Sequence, residues 1–243
     1  AESKVLNKVF NEIKPDVCLN LHDQRTIYGF KTGKPATISF LSPAANSKRS
    51  ITPSRKTGMK HIETMASILQ ELIPGQIGRY DDAFNANCVG DSFQMADVPT
   101  ILFEAGHYPG DYQREETRKY ICVALLVFFK ILQPSEANTT SYHKIPENKK
   151  NFKDVLIKNV RVPGFSRLRT VGFQFTEVLE GAEIVFQLCV DKIGGLSSYF
   201  GHLELDALGG EILVNSQENY NVGEKVSKIV NKKDNSVLFI NRD

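Results

Sequence analysis

The sequence predicts an α/β fold, part of a mixed, mostly parallel sheet flanked by helices, followed by a small β-rich domain. Three observations lead there. Two short apolar runs, residues 17–21 and 98–103, each deliver a chemistry-bearing side chain, His22 and Glu104, as the buried strands of a parallel sheet do. Between and around them, apolar residues recur at three- and four-residue spacing, the period of a helix packed on one face. Beyond residue 150 the pattern changes to alternation broken by glycine pairs, the signature of successive strands. The division that follows is residues 1–133 for the α/β part, 134–150 for a linker and 151–243 for the β-rich part.

In order along the chain, residues 4–13 place Val5, Leu6, Val9, Phe10 and Ile13 on one helical face and stop before Pro15, a helix expected to pack on the sheet. Val17, Cys18, Leu19 and Leu21 then form the strand that ends at His22. Ligands of open α/β sheets collect outside the carboxyl ends of the strands, so the position suits chemistry. Residues 28–35, with Gly29 and Gly33, read as a loop and 36–41 as a strand. Thr52-Pro53 has the cap-then-proline start of a helix carrying Met59, Ile62, Met65, Ala66, Leu69 and Leu72 until Pro74-Gly75 stops it. Its methionines are core residues. Residues 76–90 form a polar loop with Arg79, Tyr80, Asp81, Asp82, Asn85 and Asn87, too long for a mere connector. It carries specificity or a lid, or it is a surface loop with an internal salt bridge. From Tyr112 the acids Glu115 and Glu116 open a helix through Leu132 whose apolar residues surround it, which predicts deep packing.

Pro134, Ser135, Asn138, Thr139, Thr140 and Ser141 mark the linker by composition. After it, residues 171–178 and 183–190 read as a hairpin about Glu180-Gly181, and 200–205, 211–214, 226–230 and 237–240 as further strands. His202 and Glu204 share one strand face, an exposed pair rather than a metal site.

Taken alone, His22 reads equally as a capped or core histidine and Glu104 as a salt-bridged loop residue. The run from Leu19 to Tyr28, the segment Gly78-Arg-Tyr-Asp-Asp-Ala-Phe84 and residues 99–114 resemble the zinc carboxypeptidase family of metallopeptidases. More closely, they resemble a bacterial branch carrying the strings His-Asp-Gln-Arg-Thr-Ile and Leu-Phe-Glu-Ala-Gly-His. The resemblance covers about the first 130 residues, more loosely the remainder. It implies zinc as cofactor and a peptide as substrate, His22 as the third zinc ligand, and Glu104 as the base that activates the zinc-bound water. It makes Arg79 and Tyr80 candidate substrate contacts, since the family offers a mobile tyrosine from the segment before the catalytic glutamate. Asp23 and Gln24 are expected to support the His22 ring, because a ligating imidazole usually gives its other N–H to an acceptor. Arg25 and His107 are expected near substrate on the rim.

The family's other two ligands lie upstream in the spacing His-x-x-Glu. No histidine here has a glutamate three residues on: the fourth residues are Arg25, Thr64, Gly110, Pro146 and Leu205. Only 21 residues precede His22. The expectation is therefore the C-terminal portion of such an enzyme, inactive and without tight zinc unless joined to the missing half. Two other readings stay open: an amide-cleaving deacylase of the same superfamily, of aspartoacylase type, and a noncatalytic interaction module.

Thirty basic against 28 acidic residues give a net charge of +2, which argues against a nucleic-acid footprint. The longest apolar run, residues 121–129, is too short for a bilayer span, which needs roughly 18 residues or more, so no membrane partner is expected. Four scattered cysteines, at 18, 88, 122 and 189, read as buried free thiols of a reducing compartment and hence a cytoplasmic chain. An exposed sheet edge or apolar face left where a missing half packs would favour a homodimer or aggregation.

Overall fold

A computed structural model describes residues 2–133 and 141–240. The chain separates into two compact units, Ala1–Lys149 and Lys150–Asp243. Residues 134–140 of the expected linker lie outside the described residues. Residues 141–149 belong to the first unit, where Tyr142, in a 3₁₀ turn at Tyr142–Lys144, is buried.

The first unit is mixed α/β. Its elements are α1 (Glu2–Ile13), β1 (Cys18–Asp23), β2 (Tyr28–Gly29), β3 (Ile38–Leu41), α2 (Pro53–Leu72), β4 (Ile77–Arg79), α3 (Val89–Met95), β5 (Thr100–Ala105) and α4 (Glu115–Phe128). The main sheet runs β1-β5-β3-β4. β1 with β5 and β3 with β4 are parallel, and β3 with β5 is antiparallel. Helix α2 makes the crossover between β3 and β4. It starts where Thr52 accepts the Arg55 N–H and Pro53 occupies the first turn, and it buries Met59, Ile62, Met65, Ala66 and Leu69. These side chains join Ile38, Phe40, Ile101, Phe103 and Ala124 in one core. Helix α4 is capped by Asp111, whose carboxylate accepts the N–H groups of Glu115, Glu116 and Thr117.

Five expectations are corrected here. Helix α1 forms, but none of its residues is buried and Val5, Leu6, Val9 and Ile13 are exposed; Phe10 stacks on Phe93 at 4.2 Å. Strand β1 is half-buried, not buried, because it lies at the sheet's edge with Leu21 exposed. Helix α4 stops at Phe128 and buries one stripe, Thr117, Tyr120, Ala124 and Val127, so Phe129 and Ile131 lie outside it in solvent. The cysteines are free, yet none is buried. The expected loop 76–90 also begins with strand β4.

The second unit comprises β6 (Lys149–Lys150), shared with the boundary, then β7 (Phe152–Val160), β8 (Arg169–Glu180), β9 (Glu183–Ile193), β10 (Phe200–Asp206), β11 (Ile212–Val214), β12 (Lys228–Asn231) and β13 (Val237–Ile240). One sheet runs β10-β7-β8-β9 and the other β11-β12-β13. Val155, Phe173, Leu188 and Val190 from the first meet Ile212, Val214 and Ile229 from the second in one core. The β8–β9 hairpin forms about Gly181, whose φ of 63° is the left-handed conformation that glycine allows at a tight turn. His202 stacks on Phe152, and Glu204 pairs with Lys158 at 2.6 Å. Among the described residues no helix is long and apolar enough to cross a membrane.

Candidate functional site

The parallel register of β1 and β5 sets His22 directly beside Glu104. On the other side of Glu104 the register brings Ser39, and beyond it Gly78. Directly paired residues point to the same face of a sheet, so His22, Glu104, Ser39 and Gly78 make one row across four strands. Gly78 leaves room that is taken from elsewhere: the Asn148 side-chain oxygen lies 2.0 Å from where a Cβ at residue 78 would stand. Asn148 Nδ2 donates to Ser39 Oγ at 2.9 Å. Gln24 closes the row from β1's end, buried, its Oε1 accepting from Ser39 Oγ at 3.5 Å.

Glu104 is 8% exposed. Burial, with the negative charge of Asp23 second, pushes its carboxyl up to about 7. A carboxyl that takes and releases a proton near neutrality has the property a general base needs. His22 stands in solvent with Nε2 3.0 Å from Asn20 Oδ1. That contact leaves Nδ1 as the nitrogen for a further partner. The ring is therefore supported by Asn20, not by Asp23 or Gln24 as expected.

Asp23 is instead paired with Arg114 at 3.2 Å. The Arg114 guanidinium also donates to the carbonyls of Gln24 (3.0 Å), Ala105 (2.9 Å) and Gly106, which ties together the ends of the two strands that carry His22 and Glu104. Gly106 follows at a point of close approach, where a Cβ would meet Ala36 O at 1.9 Å, so only glycine fits.

Tyr80 comes near this row. Its hydroxyl lies 2.8 Å from that of Tyr28, and burial, then the Tyr28 bond, with Glu104 among the weaker causes, raises its phenol well above the ordinary range. It therefore stays a neutral donor. The segment after it is anchored by Asp82, which pairs with buried Arg55 at 2.7 Å and with Arg49 at 3.0 Å. The salt bridge foreseen within the loop thus runs out of it.

The other expected residues stand apart. Arg79 is paired in register with Phe40, one step from the Ser39–Gly78 level, and so belongs to the opposite face. There it bonds Glu147 at 2.8 Å and lies over the Tyr142 ring. His107 is 1% exposed and packs on Tyr112 with ring centroids 4.6 Å apart, a core histidine and not a rim residue. Arg25 is exposed. Asn20, Ser39, Asn148 and Arg114 were not foreseen. A polar residue inside each apolar run, Asn20 and Ser39, was the available signal.

Among the described residues no three His, Cys, Asp or Glu side chains that could hold a metal come together. His22 is a single candidate ligand, and these residues do not by themselves make a zinc site. Comparison with protein-family models, with curated proteins and with solved structures finds no match.

Proposed function

We propose that this chain carries part of the active site of a zinc-dependent peptide hydrolase of carboxypeptidase type, with Glu104 as general base and His22 as one of the metal's ligands. The observation that supports it most is the register placing an exposed imidazole next to a buried carboxyl of raised proton affinity. Strand-end placement at a parallel edge adds to this. The remaining ligands would come from outside the described residues.

Glu104 accepts a proton from the attacking water and afterwards delivers it to the leaving amine. Its placement between a wet strand and a dry one serves both halves: His22's side admits water, while Ser39's side keeps the carboxyl desolvated enough to hold a proton. Tyr80, neutral and close, donates a hydrogen bond to the substrate. Arg114 holds the geometry by fixing Asp23 and the carbonyls at both strand ends.

Two measurements test this. Zinc titrated into the protein should perturb the imidazole resonances of His22 ahead of those of His61, His107, His143 and His202, and His22→Ala should remove the response. With a His-x-x-Glu segment supplied upstream, the protein should cleave blocked peptides that bear a free terminal carboxylate. Glu104→Gln should then slow cleavage by about 10²–10⁴-fold. A zinc response indifferent to His22, or a rate indifferent to Glu104, overturns the reading.

A further inference from the structure

The β8–β9 hairpin outruns the sheet that carries it. Strand β7 pairs with β8 from Arg169 only as far as Phe173, whereas β8 and β9 stay paired to Glu180 and Glu183. The last stretch, residues 176–187, is therefore a two-stranded ribbon extending past its neighbour. Such a ribbon by itself is marginally stable in water and needs a third strand or a packed face.

The two faces of its tip are unlike. Leu179 is paired in register with Ile184, and Glu177 with Phe186. Leu179 is 70% exposed, Ile184 64% and Phe186 49%. They lie on the face that begins, nearer the core, with Phe175 and the buried Leu188. The apolar core face of the second unit thus extends to Leu179 and Ile184, which stand in solvent. Glu177 shares this face, and the opposite face carries Glu180 directly opposite Glu183 at the turn, with the half-buried pair Val178 and Val185 behind them. Like charges across a strand pair repel, and residues 176–187 hold three glutamates with no lysine or arginine. None of the three joins an ion pair among the described residues.

We propose that this ribbon is a docking surface for a basic polypeptide segment that alternates lysine or arginine with apolar residues and adds to the ribbon as a further strand. Strand addition supplies main-chain hydrogen bonds at an open edge, and alternate side chains give the specificity. One set of the partner's side chains covers Leu179, Ile184 and Phe186, and the other sets its cations against Glu180 and Glu183. The charge selects among occupants. A second copy would bring three more carboxylates to the same place, and an anionic lipid surface would be repelled.

The test uses a labelled peptide of alternating lysine and valine, with its glutamate-for-lysine counterpart as control, and fluorescence anisotropy with the whole protein. The basic peptide should bind, weaken as salt is raised, and bind at least tenfold more tightly than the acidic one. Leu179→Ser with Ile184→Ser should lower affinity at least tenfold, and Glu180→Gln with Glu183→Gln should remove most of the salt dependence. All four positions are exposed, and an unchanged thermal transition verifies that each variant folds. Equal binding of both peptides, binding unaffected by either pair of substitutions, or no binding overturns the proposal. So does sedimentation showing self-association that Leu179→Ser abolishes, since the occupant is then a second copy.

Discussion

Strands β1 and β3 flank β5 in the same sheet and are similarly apolar, yet they live in different solvents. All four residues of β3 are buried, while the last three of β1 are exposed and Leu21 keeps 57% of its surface in water. β3 has a strand on each side and the core side chains of α2 against it; β1 has one neighbour and ends the sheet. Apolar content makes a strand, and position in the sheet decides whether it dries. Glu104 sits on the strand between the two. Its dry side explains its raised proton affinity, and its wet side gives it an imidazole and water to work with.

The largest test of this contrast is on the dry side. Phe40 is fully buried and meets Phe103 edge to face with centroids 5.1 Å apart. Phe40→Ala leaves a cavity that its neighbours in two strands and α2 cannot close, and should cost about 3–5 kcal/mol in denaturant unfolding. A cost near 1 kcal/mol would mean that β3 is as loosely packed as β1, and the contrast would vanish.

A smaller effect lies at the junction. Because Glu104's folded proton affinity is raised, its protonated form favours the fold. That contribution is complete below the ordinary carboxylate range and is lost as pH rises through about 7. Glu104→Gln cannot titrate. The stability of the variant relative to the native protein should therefore climb between pH 5 and pH 8, by on the order of 2–3 kcal/mol, and then level off. Taking the difference between the two proteins cancels the titrating groups that do not interact with Glu104. A difference flat with pH would falsify the assignment of a buried, raised carboxyl at this position.

What the residues revealed in advance was mostly local. The Thr52-Pro53 start, the apolar stripe of α2 and the Glu180-Gly181 turn are written within a few neighbouring positions, and the structure holds them except at Leu72, which ends the stripe in solvent. The pairing of His22 with Glu104 in register is not written there, since it joins two strands about 80 residues apart in the chain. The same holds for Arg114 and Asn148, whose roles consist of hydrogen bonds to distant strands. Helix α1 shows the converse error: periodicity states that a helix has an apolar face, not that anything covers it. Strand β7 was missed because Lys153 and Asp154 interrupt its apolar run. Both are buried by partners from other strands, Lys153 by Asp191 at 2.9 Å and Asp154 by the N–H of Phe175 at 2.7 Å.

The smallest effect belongs to the wet strand and completes the contrast. Leu21 has an apolar residue's propensity for a strand but most of its side chain already faces water, so shortening it removes little surface from burial. Leu21→Ala should change stability by no more than about 0.5 kcal/mol, the scale of surface substitutions away from special features. It should also leave the Glu104 titration in place, because Leu21 is in register with Phe103 and so points to the face opposite the His22–Glu104 row. A loss comparable to that of Phe40→Ala would show that another surface covers β1 in solution. The edge would then be an interface, and the difference between the two strands would lie in what covers them rather than in where the sheet ends.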